Sequence, residues 1–141
     1  MAITFDVPVL TSVSVQYVHK GYHRNGNPQK SQWTIPPRTE INVFERTYRD
    51  SQGLDPILWG LLINNGNVMV VGISCSARPP KRRLKISRFN SNTSPYYWYG
   101  YPADYQLRHQ DRPPLKVLKN WMVGGIITKA EGHVNRQRST S

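Results

Sequence analysis

The sequence predicts a mostly β fold, with α+β as the nearest variant. The expected form is a single compact domain with a central antiparallel hairpin and one short helix near residues 113–123. Three observations carry this expectation. Apolar and polar residues alternate in short runs, Asn65-Gly66 separates two apolar runs, and the stretch with apolar residues at helical spacing is short. With 141 residues the chain suits one domain and leaves little room for two. Residues 1–133 read as that domain and residues 134–141 as a polar, basic tail.

The first strand is expected where Val13, Val15 and Tyr17 alternate with Ser12, Ser14 and Gln16, the period of a sheet with one buried face. Residues 19–30 are rich in Gly, Asn and basic side chains, with Asn25-Gly26 and Asn27-Pro28 as turn signals. They read as a loop or hairpin tip. Trp33 and Ile35 follow before Pro36-Pro37 breaks the run. A second strand is expected over 40–48, with Ile41 and Val43 set against Asn42 and Phe44.

Leu61-Leu62-Ile63 then runs into Asn64-Asn65-Gly66-Asn67, followed by Val68-Met69-Val70-Val71. Asn-Gly between apolar runs favours a type I′ turn, because both central residues need positive φ. That turn pairs Asn64 with Asn67 and Ile63 with Val68. Since both arms are nearly all apolar, a central, doubly buried position is expected for this hairpin. Residues 84–89 form a further strand, with Leu84 and Ile86 inward and Arg83 and Lys85 outward. Residues 90–105 read as an ordered loop. Leu115, Leu118 and Met122 fall at helical spacing, preceded by Asp111 and two prolines and followed by Gly124-Gly125. A helix is favoured there over a strand. Residues 126–129 suggest a last strand.

Composition narrows function. The chain holds 19 Lys+Arg against 8 Asp+Glu, a formal charge of +11, and its hydrophobic share is 38%. Eight Tyr, four Trp and three Phe make an aromatic-rich core feasible. Cys75 alone makes no internal disulfide and no structural zinc site, so it reads as a small buried hydrophobe. The longest apolar run, residues 56–63, is far shorter than a membrane span of about 20 residues. No basic leader with a long apolar stretch opens the sequence, so no signal peptide is expected. The charge points to a polyanionic partner, nucleic acid first and an anionic membrane surface second.

The densest basic stretch is Arg78-Pro79-Pro80-Lys81-Arg82-Arg83-Leu84-Lys85-Ile86-Ser87-Arg88, and no acid lies between Pro56 and Ala103. Arg78, Lys81, Arg82, Arg83, Lys85 and Arg88 are therefore the candidate phosphate contacts, through charge and counterion release. Residues 79–85 also have the look of a nuclear-import signal. The bland reading of the same residues is a solvated edge strand kept from aggregating by its own charge.

Tyr96-Tyr97-Trp98-Tyr99-Gly100-Tyr101 follows, and Tyr97, Trp98 and Tyr99 are candidate stacking partners for single-stranded bases. On an extended segment successive side chains point to opposite faces, so at most half of these rings share one side. Core or subunit packing is their other use. Lys20 and Arg24, with Lys30, Arg38, Tyr17, Tyr22 and Trp33, form a second basic and aromatic region. Separated basic regions favour backbone binding with little sequence readout.

The leading expectation is a non-enzymatic protein that binds RNA or single-stranded DNA and forms a homo-oligomer. It would act inside the cell, in cytoplasm or nucleus, or as a viral structural or accessory component. A self-assembling matrix-type protein on anionic membranes is the first alternative. The second is a small basic ribonuclease toxin using His19 and His23, with Arg24, Lys20 and His109, as acid-base pair and phosphate clamp. His19 and His23 have no cysteine or carboxylate beside them in sequence, and no phosphate-cradling glycine motif occurs. No metal site and no cofactor are expected. Ser94 and Ser139 lack the context of a catalytic triad.

Overall fold

The computed structural model describes residues 3–8, 14–51, 55–91 and 97–125. In chain order the strands are β1 (Ile3–Pro8), β2 (Ser14–His19) and β3 (Gln32–Trp33), then helix α1 (Pro37–Ser51). Next come β4 (Ile57–Leu61), β5 (Ile63–Asn64), β6 (Asn67–Val68), β7 (Gly72–Ile73) and β8 (Arg83–Leu84). The strands β9 (Ile86–Ser91) and β10 (Tyr97–Pro102) and the helix α2 (Leu115–Val123) complete the order. Single 3-10 turns occur at Gly21–His23 and His109–Asp111. Among the described residues the fold is sheet-rich with two α-helices, as the mostly β or α+β expectation has it.

The main sheet has five strands in the order β1-β2-β10-β9-β4. β10 lies in the middle, parallel to β2 and antiparallel to β9. The period-two alternation sends Tyr17, Trp98, Phe89 and Leu58 to one face, where α1 covers them. Phe44 and Val43 of α1 meet that layer, and Trp33, Ile35 and Val71 close its end. Two glycines leave room for close neighbours, Gly60 for α1 and Gly100 for the ring of its strand partner Phe89. A Cβ on Gly60 would lie 2.3 Å from Thr47 Oγ1 of α1, and one on Gly100 would lie 2.3 Å from Phe89 Cδ1.

The α1 segment corrects the strand expected over 40–48. Glu40, Val43, Phe44 and Tyr48 fall at i, i+3, i+4 and i+8, which is one helical stripe. Pro37 opens the helix, where its missing N–H is no loss. A Glu45–Arg49 ion pair, four residues apart, supports its exposed side. The apparent alternation at 41–44 is a short sample of that longer period.

The turn at Asn65-Gly66 forms as expected, with φ of 53° and 79°, and the register is Ile63 with Val68 and Asn64 with Asn67. Its expected position is corrected. β5 and β6 make a separate two-stranded ribbon whose tip residues 64–67 are exposed. Hydrogen bonds from Met69 N to Leu62 O and from Val71 N to Leu84 O carry the chain onward, and Val71 alone of this arm is fully buried. β3, β7 and β8 form a three-stranded sheet that abuts β10, for a Cβ on Gly72 would lie 2.3 Å from Pro102 Cγ.

Leu84 and Ile86 point inward and Arg83 and Lys85 outward, as expected. Residues 97–102 are a strand and correct the loop reading of 90–105. Serine, asparagine and proline at 92–95 hid the alternation that begins at Tyr97. The helix expected near 113–123 is α2, and Gly125 beyond its end adopts φ +71°. Its N-cap is Pro114 without a side-chain bond, so Asp111 does not cap it. The expected strand at 126–129 and the tail at 134–141 lie outside the described residues, as does Val13 of the first expected strand.

Candidate nucleic-acid interface

The face of the main sheet turned away from α1 carries the odd-numbered rings of β10. Tyr97, Tyr99 and Tyr101 share it, while Trp98 points into the core and is 1% exposed. Register builds rows across this face. Trp59, Arg88 and Tyr101 stand side by side, and so do Ile57, Asn90, Tyr99 and Val18. Arg88 lies over both Trp59 and Tyr101, at 5.6 and 5.9 Å from the ring centroids. Lys20, just past β2, sits 5.0 Å from the Tyr99 centroid. Tyr97 at the end of the row is exposed. At the opposite end Trp121 of α2 packs with Trp59, Leu61, Ile86, Ala103 and Tyr105.

Two buried carboxylate networks take up part of the basic charge. Glu40 of α1 is fully buried and accepts hydrogen bonds from the Tyr17 hydroxyl and from Arg24 Nη2 at 2.7 Å. His19 Nδ1 lies 3.1 Å from the same carboxylate. Burial, and next the charge of Glu40, push the Tyr17 hydroxyl pKa well above its usual value. Beyond the sheet, Arg82 donates through Nε and Nη2 to Asp104 at 3.2 and 2.8 Å. The hydrogen bonds to Asp104 raise the Arg82 pKa, so this guanidinium stays charged. Asp111 accepts from the Tyr101 hydroxyl at 2.8 Å and pairs with Arg88 at 3.5 Å. Burial, then the Asp111 charge, raise the Tyr101 pKa.

A cavity of about 170 Å³ opens beside the tyrosine row, lined by Tyr22, His23, Lys30, Tyr99, Tyr101 and Arg108, with Ser31, Cys75, Asp104 and Asp111 completing its walls. His23 stacks on Tyr101 at 5.1 Å and 11°, and its Nδ1 lies 2.8 Å from the Ser31 carbonyl oxygen. Burial is the main cause that lowers the His23 pKa to about 4. Its ring is therefore neutral at pH 7, with Nδ1 as the donor to that carbonyl. Lys30 Nζ lies 5.3 Å from the Tyr22 centroid, and burial raises the Tyr22 pKa.

The candidate residues divide clearly. Arg78, Lys81, Arg83 and Lys85 are exposed, with no carboxylate partner among the described residues. Arg82 and Arg88 are held by aspartates 22 and 23 residues further on, and Arg24 is held by Glu40. For those three, the expectation of free phosphate contacts is corrected: a buried carboxylate needs a counter-charge, and they supply it. Trp98 is corrected too, since core packing removes it from any base. Tyr97, Tyr99 and Lys20 stay on the open face. His19 and His23 do not form a pair, because one joins the Glu40 network and the other lines the cavity. His109 is exposed on its 3-10 turn and lies outside the cavity lining.

Sequence reasoning missed Arg108, a single arginine in a loop with no local pattern. It named Lys30 and Tyr22 only as regional features and gave Tyr101 no stacking role. The period-two spacing of Tyr97, Tyr99 and Tyr101 is the signal that would have assigned Tyr101 to the row. Cys75 is buried, as expected. Among the described residues no group of three or more His, Cys, Asp and Glu is placed to hold a metal ion. No helix among them is long and apolar enough to cross a membrane. Comparison with protein-family models, curated proteins and solved structures finds no match.

Proposed function

We propose that the protein binds single-stranded nucleic acid, RNA or single-stranded DNA, along the open face of its main sheet. The observation that carries this reading is the row Tyr97, Tyr99 and Tyr101 on the central strand, flanked by Lys20 and by the cationic cavity walls Lys30 and Arg108. Tyr97 and Tyr99 offer ring surfaces to bases, which stack on them whatever their sequence, while Tyr101 already carries His23 and Arg88 against its ring and anchors the row. The cations beside them meet the phosphates. The exposed Arg78, Lys81, Arg83 and Lys85 lie on the segment that Arg82 ties to Asp104, a wall of the same cavity. They extend the electropositive surface beyond the sheet.

Fluorescence anisotropy with a labelled oligonucleotide of mixed sequence tests this at several salt concentrations. Affinity should fall steeply with salt, because each neutralised phosphate contributes about −0.7 to the slope of log affinity on log salt for single strands. Replacing Tyr97 and Tyr99 together by alanine should weaken binding by about 1–3 kcal/mol for each lost stack. Absence of binding, or a flat salt dependence, would overturn the reading.

A further inference from the structure

The cavity beside the tyrosine row is built more closely than general phosphate binding requires. The orientation of His23 is fixed twice, by the stack on Tyr101 and by the contact of Nδ1 with the Ser31 carbonyl oxygen. A carbonyl accepts only, so Nδ1 carries the hydrogen and Nε2 is left as a lone-pair acceptor. The residue is 5% exposed, and no group among the described residues bonds to Nε2. His23 lines the cavity, so this acceptor can take a hydrogen bond from a donor that enters it.

The charges facing the ring are Lys30, Arg108 and Glu40, and the cavity walls add Asp104 and Asp111. Asp104 is bound by Arg82, and Asp111 by Arg88 and Tyr101. Among the described residues Lys30 and Arg108 have no carboxylate partner of their own, so they are the cations of the cavity left for an anion. The volume of about 170 Å³ is many times the roughly 10–15 Å³ that a cavity needs to hold one water, so it admits a group much larger than a water molecule.

We propose that this cavity holds one ribonucleotide of a bound strand, with its phosphate between Lys30 and Arg108 and its 2′-hydroxyl donating to His23 Nε2, so that the protein selects RNA over DNA of the same sequence. The proposal rests on the single-strand reading above and sharpens it. A 2′-hydroxyl is the group by which RNA differs from DNA at one site, and only an acceptor or donor set against it can read that difference. The tyrosine row, by contrast, stacks bases of either kind. The row supplies affinity, and the cavity supplies discrimination.

The test compares three labelled strands of one uracil-containing sequence: RNA, its deoxy counterpart and its 2′-O-methyl counterpart. Wild-type protein should bind the RNA about five- to tenfold more tightly than either of the others, the scale of one net hydrogen bond. In His23→Phe, which keeps an aromatic ring against Tyr101 but offers no acceptor, the RNA-to-DNA ratio should fall to about one. The 2′-O-methyl strand keeps the RNA sugar pucker and needs no protein variant, so the wild-type comparison decides even if His23→Phe fails to fold. Equal affinity for all three strands, or 2′-O-methyl binding as tight as RNA, overturns the pocket and leaves the single-strand reading standing. Failure to bind any strand overturns both.

Discussion

His23 shows how one side chain is given a role by its neighbours. Free in solution its imidazole titrates near 6.5. In the fold, burial first of all lowers that value to about 4. Between these two values the unfolded chain binds a proton that the folded chain refuses. Stability is then greatest above pH 6.5, falls as pH drops through that window, and levels off below about pH 4. A shift of this size corresponds to about 3 kcal/mol lost across the window. Urea unfolding of wild type and His23→Phe at neutral pH and near pH 4 checks it: the wild type should lose more stability on acidification than the variant. Equal losses would show that His23 does not resist protonation. Glu40 is a fully buried carboxylate held by Tyr17 and His19 of β2 and by Arg24 just beyond it.

At the scale of elements, α1 and β10 make the site. α1 covers one face of the sheet and draws Trp98, Phe89 and Tyr17 under it, which obliges Tyr97, Tyr99 and Tyr101 to face the other way. The contact is close where Gly100 meets Phe89. A methyl group there would sit 2.3 Å from Phe89 Cδ1 and 2.9 Å from the Tyr17 hydroxyl, and neither ring has room to withdraw. Gly100→Ala should therefore destabilise the fold by about 1–3 kcal/mol, the usual result of overpacking. Its thermal midpoint should drop accordingly, and an unchanged midpoint would show that the neighbouring rings yield more easily than this geometry indicates.

Over the entire molecule the formal charge of +11 separates into structural and available parts. Arg24, Arg82 and Arg88 neutralise Glu40, Asp104 and Asp111, whereas Lys81, Arg83 and Lys85 face solvent. The two groups should respond differently to substitution. The triple change Lys81→Ala, Arg83→Ala and Lys85→Ala should flatten the salt dependence of nucleic-acid binding with stability within about 0.5 kcal/mol per site. Arg82→Ala should instead destabilise by about 3 kcal/mol or more, since it strands a buried Asp104. Paired salt titrations and urea curves separate the two, and a triple variant with an unaltered slope would remove this basic segment from the binding surface.

Local chemistry was enough for several features of this protein. Asn65-Gly66 dictated its turn and register, because positive φ at both positions is a property of those two residues. The inward Leu84 and Ile86 and the helix at 115–123 followed from their spacing, and alternation limited the aromatic run to at most half its rings on one face without saying which half. The partners that come from far along the chain required the tertiary structure. The stretch 78–88 reads as free charge because its neutralising aspartates lie beyond it in sequence, and only folding brings Asp104 to Arg82 and Asp111 to Arg88. His19 and His23 read as a pair because they are near in sequence, yet they serve different networks. Which residues are adjacent along the chain is a covalent fact, but which charges cancel and which rings share a face depends on how strands are ordered, and that order emerges only when the layers pack.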